Sequence, residues 1–514
     1  MTPRPGVRAV AVTALLASAG CSHLMAPRAA GAVPCAELAR LYTPGEVRAD
    51  VDWLFARIED AHPSPYTVTS KPEMARHRAQ LIGDLSRPLP RGAFGPALSR
   101  LVARLGDGHT GVWTPEEVWC HLGAGGRLFP LRLDWDGERV IVDAQRPFFS
   151  QGGIADPAAG AEILAINGYP ARPMFERMTE QQSGELPAWR RGQVEAELAV
   201  HLYFNGILAP FRVRYRPPGG QPREVTLEGA RVERPARSPA RVPATYRELP
   251  SRIGYIDFSR LDRDLSGALA SFLERTFTEI RRREVRGLIV DLRRNGGGAE
   301  ALGGMLLDHV TDRPYTFHGA VVRKASRTWR EGLAGQAPWW VPIGLMVRLL
   351  APADLVEAWR SPDGRVLTFK DAALHRPPPN PLRFHGPVCF LIGPRTFSSA
   401  GGLANAIADF KLATLMGEAT GQAVNAYGEA ILIRLPRTRI LASISTSQLV
   451  RANGDATTRG PVQPDIEVRQ PPTHAGDAVL ERAQAWVLEQ RPAGSRGSCA
   501  TSRASVRSLR PACG

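Results

Sequence analysis

Residues 388–410, VCFLIGPRTFSSAGGLANAIADF, decide how the chain is read. Val388 to Ile392 form an apolar run of strand length. Gly393-Pro394 breaks it. Thr396, Phe397, Ser398, Ser399, Ala400, Gly401 and Gly402 follow, and then Leu403, Ala406, Ile407 and Phe410 recur at helical spacing. Two serines therefore stand where a strand turns into a helix. A hydroxyl there is lifted out of the sheet and faces the positive end of the helix dipole, which favours a developing oxyanion. The same two serines also read as ordinary helix N-caps. The stretch alone leaves both readings open.

The preceding segments repeat the construction. Ile253 to Phe258 read as a strand and residues 265–283 as a helix. Gly287 to Leu292 read as a second buried strand, running into Arg293-Arg294-Asn295-Gly296-Gly297-Gly298 and a helix over 299–310. This alternation predicts a parallel sheet with crossover helices. Ligands bind such sheets beyond the carboxyl ends of the strands. Three glycines at one of those ends can aim backbone N–H groups inward with no side chain in the way. The two strand ends are thus expected to share a pocket, one giving donors and the other a nucleophile. Between them lies an insertion, about 311–380. Its apolar, aromatic stretch over 337–347 reads as a lid, a membrane-interface segment or core.

Further upstream, residues 126–230 read as β-rich. Leu131, Leu133 and Trp135 alternate, an Asp136-Gly137 turn follows, and the strand in GAEILAINGYP (160–170) closes on Asn167-Gly168. Residues 231–250 are rich in Pro and Arg and read as a linker. Residues 36–118 read as helical, with Val47, Val51, Leu54, Phe55 and Ile58 as one stripe. Prolines after His62 end that helix, and His62 is expected only to pack or bond locally. Further helices are expected over about 72–85 and 91–105. The last ends in Gly106-Asp107-Gly108-His109-Thr110-Gly111, a tight loop able to present an imidazole.

At 514 residues the chain can hold two to four domains. The charge of +15 and pI near 10.1 raise nucleic acid as a partner, but Arg is scattered with no basic–aromatic cluster, so nucleic acid is not expected. Arg4 and Arg8 precede a short apolar run over 9–19, too short to span a bilayer, which reads as a secretory leader. Ser18-Ala19-Gly20-Cys21 resembles a bacterial lipoprotein box, so export and anchoring through a lipidated Cys21 are expected; a plain cut near residues 30–32 is the other reading. Export implies an oxidising compartment. Cys35 with Cys120, and Cys499 with Cys513, are possible bridges that sequence does not settle. Cys389, inside the apolar strand, reads as buried and inert. No CxxC or His/Cys cluster points to a metal, and no cofactor is implied.

Six pieces together resemble the tail-specific (C-terminal processing) serine peptidases, with a likeness closer to the branch that includes the tricorn core peptidase and the interphotoreceptor retinoid-binding protein repeats. They are LGDGHTG (105–111), GAEILAINGYP, GLIVDLRRNGGG (287–298), TFSSAGG (396–402), LMGEATG (415–421) and GPVQPDIEV (460–468). The resemblance implies an α/β fold: a leader over 1–32, an N-terminal helical domain over 36–120, a PDZ-like β-rich domain over 121–230, the linker, and a ClpP/crotonase-like catalytic domain over 251–470. Residues 490–514 read as a disordered tail.

By the same resemblance the nucleophile falls on Ser399, the serine preceding Ala400, and the oxyanion donors on the N–H groups of Ala400 and Gly297. The processing peptidases take a lysine as base from the loop after Gly-Glu-x-Thr. Here GEATGQAVNAYGE holds none, and Lys411 lies too early. The tricorn-like branch uses a histidine, which matches His109. That branch's supporting glutamate is absent near Thr457-Thr458, leaving Glu418 or Asp107 as substitutes. The expected function is an exported serine peptidase acting on peptides or proteins. The alternative is a catalytically inactive protein of the same fold that binds peptide or an apolar ligand. Substrate and oligomeric state are not legible.

Overall fold

The computed structural model of the chain describes residues 33–143, 156–231, 244–262, 265–336, 343–370, 374–471, 474 and 476–490. The leader with Cys21, most of the linker, the tail with Cys499 and Cys513, and residues 337–342 of the insertion lie outside them.

The centre is a six-stranded sheet in the order 245–249, 253–257, 287–291, 388–392, 414–417, 466–467. Every pair but the first is parallel. The strands predicted from their apolar runs, Gly287–Asp291 and Val388–Ile392, are direct neighbours with Leu288 opposite Val388 and Asp291 opposite Leu391. All ten of their residues are buried, as a parallel strand covered on both faces requires. Side chains alternate between the faces. Leu288, Val290, Phe390 and Ile392 meet the helices Ser266–Arg282, Glu300–Leu307 and Ser399–Phe410. Ile289, Cys389 and Leu391 meet Val479, Leu480, Ala483 and Val487 of helix Ala478–Glu489. That last helix had no counterpart in the sequence reading. Cys389 is buried there, and burial pushes its thiol up to about 12, so it is inert as expected.

The middle of the chain forms an antiparallel sheet over 133–135, 140–142, 162–166, 211–216 and 223–227. Asn167 and Gly168 both take positive φ, 49° and 84°, at the tight turn that returns strand 162–166 onto 169–170. The segment is less purely β than its turns suggested. Helices Ala171–Glu180, Pro187–Ala196 and Leu198–Phe204 intervene. Ala171, Met174, Phe175 and Met178 are buried at helical spacing in the first of them.

The N-terminal helices, Pro44–Ala61, Lys71–Gly83 and Arg91–Ala103, match their predicted positions closely. A capping box of Thr43 and Glu46 opens the first. Their stripe of Val47, Val51, Leu54, Phe55 and Ile58 packs on Ile431, Leu435, Ile440, Ala442 and Ile444 from the far end of the chain. Part of the insertion joins the same core through Trp329, Leu333 and Ala358. Strand Gly111–Trp113 pairs antiparallel with Leu441–Ile444, and Cys35 is bridged to Cys120 at a Cα–Cα separation of 5.6 Å.

Candidate active site

Strand 388–392 stops at Gly393, and Thr396 fixes the turn that follows. Its hydroxyl accepts from the Gly393 N–H at 3.0 Å and donates to the Leu292 carbonyl at 2.9 Å. Ser398 then sits before helix 399–410 at φ 54° and ψ −130°. A side-chain-bearing residue is strained there. Such a strained strand-to-helix turn is the way a serine hydroxyl is raised clear of a sheet.

The loop ending in His109 reaches this turn because it is sewn to the C-terminal half. Ser443 donates its hydroxyl to the His109 carbonyl, and the Ser445 N–H donates to Thr110 Oγ1 at 3.0 Å. His109 is 2% exposed, and its Nε2 lies 3.0 Å from Ser398 Oγ. Its ring stacks on Phe397, which stacks in turn on Trp189 at 3.8 Å. Gly108 is glycine for want of room: a Cβ would stand 2.5 Å from the Phe397 ring.

The histidine therefore meets Ser398, whereas the sequence reading placed the nucleophile at Ser399. The Ser399 hydroxyl is turned the other way and donates to the Gly298 carbonyl at 2.5 Å. The two expected oxyanion donors are also engaged. The Gly297 N–H donates to Asn295 Oδ1 at 2.9 Å, and the Ala400 N–H to the Phe397 carbonyl at 3.1 Å. The Ser399 N–H, in the first turn of the helix, has no acceptor among the described residues. Gly297 still shapes the site. At φ 97° it passes so close that a Cβ would lie 2.4 Å from Ser398 Cβ and 2.9 Å from Ser399 N.

Asp107 is 1% exposed and braces the loop. One oxygen accepts from the His109 backbone N–H at 2.9 Å and the other lies 3.2 Å from His62 Nε2. The Ser64 N–H donates to His62 Nδ1, so a neutral His62 carries its proton on Nε2 and donates to Asp107. Burial alone would raise the Asp107 carboxyl. The His62 hydrogen bond and the electrostatic pull of the two neighbouring imidazoles, His62 and His109, outweigh it and hold the carboxyl far below the usual range. His62, dismissed from the sequence, thus belongs to the site. Burial also lowers His109 below 6.5, against an opposite pull from Asp107 and the Tyr427 backbone.

Glu418 is not brought here. Its neighbours are the Gln470 backbone and Arg469, Arg191 and Glu467, and none of these belongs to the site. Lys411 lies exposed at the far end of helix 399–410. A different acid does approach. Glu185, between helices 171–180 and 187–196, has an oxygen 3.2 Å from where a Gly108 Cβ would stand. No motif in the sequence pointed to it.

A cavity of about 250 Å³ adjoins the loop that carries His109, lined by Gly108, Trp113, Trp119, Leu122, Trp189 and Phe204 among others. Among the described residues no helix is long and apolar enough to cross a membrane, and no cluster of three or more His, Cys, Asp or Glu could hold a metal ion.

A parallel α/β sheet that offers a serine at a strained strand-to-helix turn, beside a buried histidine, defines the class: a serine-type hydrolase. Residues 252–468 match the model of peptidase family S41, so the chain carries a domain of that family and is a serine-type peptidase. No curated protein matches it. Among solved structures it is similar to a mutant of CPAF, with a TM-score of 0.58 and 15% identity over 86% of this chain and 96% of that one. Mature CPAF complexed with lactacystin aligns at a TM-score of 0.55 and 15% identity, over 86% and 97%. A photosystem II D1 C-terminal processing protease aligns at a TM-score of 0.41 and 16% identity, over 82% and 93%. At these identities the CPAF structures speak for the fold.

Proposed function

We propose that the chain is an exported peptidase in which Ser398 attacks the scissile carbonyl and His109 carries the proton. The observation behind this is the 3.0 Å approach of His109 Nε2 to Ser398 Oγ at a strained turn. A serine hydroxyl at neutral pH is a poor nucleophile until a base takes its proton. His109 takes it as the Ser398–carbonyl bond forms and returns it to the leaving amine. A water then repeats the sequence on the acyl-enzyme. The Ser399 N–H takes the oxyanion role expected of Ala400, helped by the dipole of the twelve-residue helix behind it. Asp107 and His62 hold the His109 backbone in place.

The cavity beside Gly108 and Trp189 receives an apolar side chain of the peptide substrate. Its aromatic walls suit that partner. The Cys35–Cys120 bridge supports the oxidising destination implied by the leader, and a lipidated Cys21 anchors the chain to the envelope. Hydrolysis of fluorescein-labelled casein tests the core of this reading. Ser398→Ala and His109→Ala are each expected to abolish it, since members of one relay are not additive. Wild-type rates in either folded variant would refute it. Cys21→Ala is expected to release the protein from the membrane fraction.

A further inference from the structure

His109 has a second ring nitrogen. Nδ1 is buried and makes no well-formed hydrogen bond; the Tyr427 backbone draws on the ring without meeting it at hydrogen-bond geometry. A base whose second nitrogen is unheld has neither a fixed tautomer nor a fixed orientation. Asp107 does not hold it: its two oxygens are turned to the His109 backbone N–H and to His62. Glu418 lies elsewhere.

Among the described residues, the other acid at this loop is in the complementary position. Glu185 is half-buried as a residue, yet both its carboxylate oxygens are shut from solvent, with only the loose approach of the Gly108 and Tyr427 backbones to them and no well-formed hydrogen bond. The carboxyl lies against Gly108, the residue before His109. Both it and the His109 ring interact with the backbone of Tyr427. An acceptor and a ring nitrogen, neither with a well-formed hydrogen bond, thus converge on one peptide unit. Leaving both without one in the interior is costly, and catalytic hydrogen bonds are often long before substrate tightens them.

We propose that Glu185 is the positioning residue of the general base, its carboxylate accepting the Nδ1–H of His109 when the site closes on substrate. The inference rests on the Ser398–His109 reading and completes it. It makes the relay a three-segment device: the serine from the central sheet, the histidine from the N-terminal loop, and the acid from the helical connection of the middle segment. No proton is transferred to Glu185. It fixes the tautomer that leaves Nε2 free to accept from Ser398, and it stabilises the imidazolium that forms.

The groups facing Glu185 are Asp107 and Gly108 of the loop and Tyr427 of strand Ala426–Gly428, with His62 beyond Asp107. Burial, with the Asp107 charge adding to it, raises the carboxyl to about 8 against the pull of the Gly108 and Tyr427 backbones. Around neutral pH the resting site therefore holds this acid largely protonated, and reactivity should climb as it ionises.

The test is the rate of fluorophosphonate labelling and of casein hydrolysis by the full chain between pH 5 and 9. Wild type is expected to show a rise near pH 8. Glu185→Gln is expected to lose that step and to turn over about 10²–10⁴-fold more slowly at pH 8.5, with KM unchanged. Glu185→Asp, which keeps the charge, is expected to restore part of the rate and the step; it also decides the matter should the Gln variant fail to fold. A folded Glu185→Gln or Glu185→Asp protein with the wild-type rate but no step near pH 8, or with the step at full height in the Gln variant, would overturn the assignment. Failure of the underlying reading looks different: Ser398→Ala and His109→Ala would then label like wild type.

Discussion

At the scale of residues, the chemistry turns on which of two adjacent serines reacts. Ser398 and Ser399 are one bond apart in sequence and opposite in engagement: one meets His109, the other the Gly298 carbonyl. Ser399→Ala keeps its backbone N–H, so it should keep activity within about tenfold, at a stability cost of about 1 kcal/mol for the lost hydrogen bond. Side-by-side turnover and melting of the two alanine variants separate them.

The pH dependence follows from the same residues. His109 is lowered below 6.5, so the base stays neutral into mildly acidic solution and the acid limb of the rate profile should lie below that value. For stability the sign is set by Glu185. Its folded value is raised from 4.5 to about 8, so between those pH values the folded state holds a proton that the unfolded state has released, and stability falls as pH rises through that window. Glu185→Gln removes this loss. Its gain in melting temperature over wild type should therefore be larger at pH 8 than at pH 5. An equal gain at both would place the ionisation elsewhere.

At the scale of elements, the glycine loop at 296–298 and the turn at 396–399 are built against each other. Gly297→Val would put a branched side chain where 2.4 Å separates a bare Cβ from Ser398, at a φ of 97° that valine avoids. Disturbing an oxyanion site of this kind typically costs two to three orders of magnitude in turnover. We expect at least that, measured on protein shown by melting to be folded. The cavity makes a separate prediction. Val200→Trp would fill part of it, and should raise KM for peptides bearing a large apolar side chain while sparing those bearing glycine.

The strands at 287–291 and 388–392 were legible because strands covered on both faces are uninterrupted apolar runs. The N-terminal helices were legible from an apolar stripe and prolines. The helices within 171–204 and helix 478–489 went unread because their stripes were short and sat beside stronger β and tail signals. Site residues were legible where a motif carried them, as His109 and the glycine loop were. The choice between Ser398 and Ser399 was not, since it depends on a backbone twist at one residue. Glu185 and His62 were invisible because their role comes from long-range packing.

At the scale of the whole molecule, the site exists only because distant parts of the chain are sewn together. Strand 111–113 adds to 441–444, Asp50 accepts from the N–H groups of Arg437 and Thr438, and fully buried Arg91 pairs with Glu116 and Glu117, the former also held by Arg434. The Cys35–Cys120 bridge closes a loop of 85 residues that contains His62, Asp107 and His109. Losing it through Cys35→Ser should cost about 2–4 kcal/mol, seen as a lower denaturant midpoint, and activity should fall with the folded fraction.

The central claim is that Ser398 is the nucleophile, activated by His109. The measurement that bears on it most directly is fluorophosphonate labelling of the wild-type chain followed by mapping of the modified peptide. A single adduct is expected, on Ser398, lost in His109→Ala. An adduct on Ser399, or undiminished labelling of Ser398 without His109, would contradict it.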